Sequence, residues 1–179
     1  MVVSVFRKLV DKIVGDGTPP GFTGTLATEE SVVVSAECRT GGHLVATSLG
    51  LWVPTDDGPR RLGWHLISKV TWGDGELVVI EADVVGEAGD AVLLADRRPT
   101  RYALVDPGKL PHAVHQRVTG SIRSRHHRDL PGGGAWFVQR KVPGQDGIVL
   151  QVRPDPGTDE DAVRTVATEV AAKIREALQ

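Results

Sequence analysis

At 179 residues the chain is long enough for one domain with an extension. A composition of 40% hydrophobic and 25% charged residues excludes a disordered or fibrous protein and fits an ordinary globular one. The single cysteine, Cys38, excludes an intramolecular disulfide. With no secretory leader and no apolar run of membrane-spanning length, the expected setting is cytoplasmic.

Residues Val2, Val3, Phe6, Leu9, Val10, Ile13 and Val14 recur at the spacing of one helical face, with Arg7, Lys8, Asp11 and Lys12 opposite. The pattern predicts an amphipathic helix closed by Gly15 and Pro19-Pro20. With one aromatic and a polar face of mixed sign, it is expected to pack on the protein body or on a second copy, so self-association is open. Membrane association is not expected. Ser31 to Cys38, rich in β-branched residues, predicts a first strand.

His43 to Asp83 then alternates short apolar runs with turn residues and holds no helical period. Asp57-Gly58 and Asp74-Gly75 mark hairpin turns, because Asp-Gly pairs take positive φ at little cost. An antiparallel meander this long curls into a barrel or sandwich. Trp64 and Trp72 are expected to pin one sheet onto the other. Leu77 to Ile80 and Ala91 to Ala95 predict two further strands around a Gly86-to-Asp90 turn, and Tyr102 to Val105 a short last one.

Leu110, Val114, Val118 and Ile122 fall at four-residue intervals, which predicts a helix reaching about Arg128. Pro131 to Gly134 breaks it. Ala135 to Val142 and Gly147 to Val152 predict a hairpin. A final helix follows, with Thr158 or Asp159 as N-cap and an apolar face of Val163, Val166, Ala167, Val170, Ala171, Ile174 and Leu178. The organisation expected is an N-terminal helix and linker (1–20), a barrel with its helix (21–128), and a hairpin plus helix packed on the same domain (129–179). The fold class is α+β and mainly β.

Leu44 to Val53, an apolar run, a Thr, a short break and a second apolar run, resembles the second and third strands of the pleckstrin-homology-like barrel, including its bacterial and GRAM-related branches. Arg61 to Ile67 resembles that family's later segment ending in an aromatic and Ile. The resemblance spans Ser31 to Arg128 and implies that the helix from Leu110 plugs one open end of the barrel. It also implies a non-catalytic module that binds a phosphoinositide, a peptide or a partner protein. The phosphoinositide version requires several basic residues in the loop after the first strand. Here Arg39 to His43 offers one Arg and one His, which argues against that ligand.

The net charge of −2 conceals a segregation. Between Arg97 and Lys141 stand ten Lys or Arg against two acids, leaving about −10 for the remainder. Within that stretch Lys109, Arg117, Arg123, Arg125 and Arg128 are candidates for contacting an anion or a partner, since guanidinium groups suit bidentate contacts. A nucleic acid is the alternative partner to a protein or peptide, although no stacking aromatic accompanies them on the predicted helix.

Other motifs resolve into structure. His112 and His115 share a helical face, but His126 is about 16 Å further along the axis and no carboxylate lies nearby in sequence, so no metal or other cofactor is expected. Ala46 to Gly50 has the outline of a nucleophile elbow but is followed by a strand where a helix is required. Pro131 to Gly134 lacks the Gly-Lys-Ser/Thr sequel of a phosphate loop. Cys38 has no evident base beside it. The expected protein is a non-catalytic binding or scaffold module.

Overall fold

The computed structural model describes residues 16–179, so the predicted N-terminal helix lies outside the described residues. The first four strands are β1 (Val32–Glu37), β2 (His43–Thr47), β3 (Gly50–Val53) and β4 (Arg60–Gly63), joined as one antiparallel sheet in chain order. A single turn of 3₁₀ helix, Trp64–Leu66, leads into β5 (Ile67–Gly73), β6 (Glu76–Ala88), β7 (Ala91–Asp96) and β8 (Thr100–Ala103). Then come α1 (Leu110–Gly120), β9 (Ile122–Leu130), β10 (Gly133–Lys141), β11 (Ile148–Pro154) and α2 (Glu160–Ala177). The second sheet has the order β5-β6-β7-β11-β10-β9, with β8 beside the first half of β6, and it curls into a half-barrel.

Local chemistry accounts for most of these elements. The β5–β6 hairpin turns on Asp74 and Gly75 at φ +53° and +77°, the two positive angles that a tight hairpin turn demands. α2 begins where Asp159 Oδ1 accepts the Ala162 N–H at 2.8 Å, with Glu160 and Asp161 on the positive end of the helix dipole. The end of β1 meets the end of β8: Arg39 N–H donates to Ala103 O and Val105 N–H to Glu37 O, so the two sheets are joined there.

Two cores result. The first fills the space between the sheets with Leu44, Leu51, Trp64, Ile67, Leu77 and Leu104, and α1 adds Leu110, Val114 and Val118. The second lies between α2 and the strands β7, β11 and β10, built from Leu93, Ala135, Phe137, Leu150, Val152, Val163 and Ala167. β6 is common to both: Leu77 and Val79 belong to the first core and Ala88 to the second.

Four expectations are corrected. The helix stops at Gly120, and Ile122–Leu130 is strand β9 rather than a continuation. Gly120 and Ser121 end it, with Ser121 Oγ–H donating to Val118 O at 2.7 Å, and β10 offers the next segment a full antiparallel ladder. β6 runs unbroken to Ala88, so its turn is confined to Gly89 and Asp90. Trp72 pins nothing, being 41% exposed, whereas Trp64 is buried and donates its indole N–H to Thr47 O at 3.0 Å. Leu178 is 82% exposed and lies off the apolar face that α2 buries. The second sheet also contains one parallel pair, β7 with β11, which the sequence did not announce.

Candidate functional site

Strand β5 is an outer strand of the half-barrel, paired among the described strands with β6 alone. Along it Val70 points into the first core, while Thr71 and Trp72 stand exposed beside the hairpin tip. The start of α1 faces them. Asp106 Oδ1 accepts the Gly108 N–H and shapes the approach, and Pro111 sits in the first turn, where its missing N–H costs no helix bond. Between the two elements runs a groove of about 570 Å³, walled by Trp72 and Leu77 on the hairpin and by Pro107, Pro111, His112 and His115 on the helix side. Its lining is mostly apolar and aromatic, with the Thr71 hydroxyl and two imidazoles as the polar side-chain groups. His112 and His115 thus share a face, as their spacing required. Among the described residues no cluster of three His, Cys, Asp or Glu side chains could hold a metal ion.

The five candidate cations do not form one surface. Lys109 precedes α1 and Arg117 is in its last turn, eight residues or about 12 Å along the axis. Arg123, Arg125 and Arg128 are on β9, not on the helix. Pairing with β10 divides them: Arg125 lies opposite Val138 and Arg128 opposite Ala135, on different faces of the strand. The register shifts at Arg123, which is left as the extra residue of a β-bulge. His126 and His127, expected on the helix, are likewise on β9. Arg125 has a partner of another kind, its guanidinium lying 4.1 Å from the centre of the Trp136 ring.

Three polar arrangements escaped the sequence. Glu30 is buried against β2 and β3, where its carboxylate accepts from Thr47 Oγ1 (2.6 Å), the Ala27 N–H (2.9 Å), Trp52 Nε1 (2.9 Å) and Arg61 (2.6 Å). It fastens the segment before β1, and Phe22 adds an edge-on contact with Trp52. Arg140 is buried with no carboxylate partner among the described residues; it donates to Ile67 O, Trp64 O and Val118 O and to Ser121 Oγ. Burial, and after it the charge of Arg153, lowers its pKa to about 10. Gln151 Nε2–H donates to His65 O beside it, at 2.7 Å. The signal for Arg140 was present: Trp136, Val138 and Arg140 alternate with Ala135, Phe137 and Gln139, which gives β10 two occupied faces. Glu30 and Gln151 carried no such signal.

Two side chains weighed as nucleophiles have structural surroundings. Cys38 is buried, and burial pushes its thiol pKa up, away from the reactive thiolate. Ser48 lies in the turn between β2 and β3, where its Oγ accepts the Ser31 N–H. Among the described residues no helix is long and apolar enough to cross a membrane. Comparison with protein-family models, curated proteins and solved structures gave no match.

Proposed function

We propose that this chain is a non-catalytic binding module with a pleckstrin-homology-like barrel, and that the groove between β5 and α1 receives an extended peptide segment of a partner protein. The element order supports the barrel reading. A four-stranded sheet is followed by a second sheet and then by a helix whose apolar stripe enters the space between them. The observation that carries the function is Trp72, 41% exposed on an outer strand and set against two prolines and two histidines. An outer strand has backbone groups to offer an added strand, and a half-exposed indole supplies the large, rigid contact area that dominates interface energies. A nucleic-acid role for the basic residues has weaker support, because β9 divides its arginines between two faces.

The test is a selection of displayed random peptides against the full chain, followed by titration of the recovered sequences. Trp72→Ala is expected to weaken binding about tenfold or more. Its exposed position leaves the fold intact. Recovery of no saturable peptide, or equal affinity for the variant, removes the groove from consideration.

A further inference from the structure

A second cleft lies inside the curl of the half-barrel, where β5 and β6 come face to face with β9, β10 and β11. It encloses about 510 Å³, within the range of small-ligand sites. Lys69 projects from one wall; Arg125, Trp136 and Arg153 come from the other. Asp96 and Asp155 also line it, and both are already engaged. Asp96 pairs with Arg153 at 3.2 Å and accepts from Ser68 Oγ, while Asp155 meets His127 Nε2 at 2.7 Å. Lys69 and Arg125 have no hydrogen-bond or ion-pair partner among the described residues.

Arg125 is not loose for lack of such a partner. Its guanidinium is 4.1 Å from the Trp136 ring centre, and His127 meets the same ring edge-on at 5.1 Å. The ring restrains a face of the guanidinium and leaves its in-plane N–H fork available, the geometry that matches a tetrahedral or planar oxyanion two bonds at a time. Lys69 opposite adds a compact point charge. We propose that this cleft binds a small phosphorylated molecule, its phosphate held between the Arg125 fork and the Lys69 ammonium. Two cations without carboxylate partners match a phosphate monoester, which carries about −1.5 to −2 at neutral pH, better than a single carboxylate. The volume of the cleft is of the size that takes a small molecule.

The experiment uses the full chain and glycerol phosphate as probe, read by the indole N–H resonance of Trp136 in a proton–nitrogen correlation spectrum. A saturable shift of that resonance is expected, with a dissociation constant of about 1 mM or tighter. Glycerol and acetate should leave it in place. Arg125→Gln and Lys69→Gln, both at exposed positions, should each weaken binding about tenfold, and Trp72→Ala should not alter it. Absence of a saturable shift, or unchanged binding in both variants, overturns the proposal. So does an equal response to acetate. Tighter, steeply salt-dependent binding of a single-stranded oligonucleotide that is lost in Arg123→Ser/Arg128→Ser would replace the small ligand with a polymer.

Discussion

Glu30, buried, and His65, half-buried, are two titratable groups that respond to acid in the same direction. Burial alone would raise the pKa of Glu30, but the donors Thr47, the Ala27 N–H, Trp52 and Arg61 together bring it below the ordinary carboxylate range. His65 is depressed first by burial and then by the charge of Arg140, and its Nδ1 is buried without a partner among the described residues. In both cases the unfolded chain binds the proton more tightly than the folded one, so each group destabilises the fold as pH falls. The His65 contribution is complete above the unfolded histidine value of about 6.5, and that of Glu30 above about 4.3. Urea midpoints should therefore decline in two stages between about pH 7 and about pH 3. Glu30→Gln should cost about 2 kcal/mol at neutral pH, and its curve should converge on that of the parent in acid. A gap that stays constant across the whole range would mean that the carboxylate charge is not what fastens the segment before β1.

α2 shows how far an element can be read before its neighbours are known. Its start, narrowed to Thr158 or Asp159 as N-cap, and six of its seven apolar positions were readable, because those depend on the helix alone. How deeply each position is buried depends on the sheet beneath. Val163 and Ala167 are fully enclosed, Ile174 is half-buried, and Leu178 lies beyond the sheet. Val163→Asp should accordingly cost about 3 kcal/mol or more, Ile174→Asp less, and Leu178→Asp under about 0.5 kcal/mol. Equal melting of all three variants would show that α2 is not docked through this face. The same distinction explains β9. Leu110, Val114 and Val118 announced a helix correctly, and Ile122 extended the spacing by one more step, but Arg123 to Asp129 has no apolar period of its own. Its ladder with β10 decided its form, and β10 lies beyond a turn. The meander from β1 to β5 was legible as short apolar or β-branched runs set between Gly-containing turns. The groove at Trp72 was not, since it forms where an outer strand meets a helix that begins 38 residues later. Of the charged candidates, Arg125 alone lines the cleft inside the curl, and what sets it apart is Trp136 on the neighbouring strand.

At the scale of the molecule the question is whether the two cores unfold separately. Each has its own helix, and the segment after α1 could be taken for an appendage. Three features oppose that. β6 supplies both cores, β11 is inserted beside β7 as a parallel strand, and the Arg140 side chain reaches from β10 to backbone carbonyls of β5, the 3₁₀ turn and the end of α1. Removing that guanidinium takes a donor from Ile67 O in a buried place, while Trp64 O keeps the Ile67 N–H and Val118 O keeps the Ser121 hydroxyl. Against this, a methionine is spared the desolvation that lowers the arginine's pKa, so the two effects partly cancel. The net cost of Arg140→Met should be about 2–3 kcal/mol, a fall in Tm of about 5–10 °C for a chain of this length. The decisive readout is native-state hydrogen exchange. If the cores form one cooperative unit, the slowest amides of β2 in the first core and of β11 in the second exchange through the same global opening, and Arg140→Met lowers the protection of both by the same free energy. Val163→Asp, placed only in the second core, must then do so too. Loss of protection in β11 with β2 unchanged, in either variant, would show that the first core with α1 stands alone and that the hairpin and α2 are added to it.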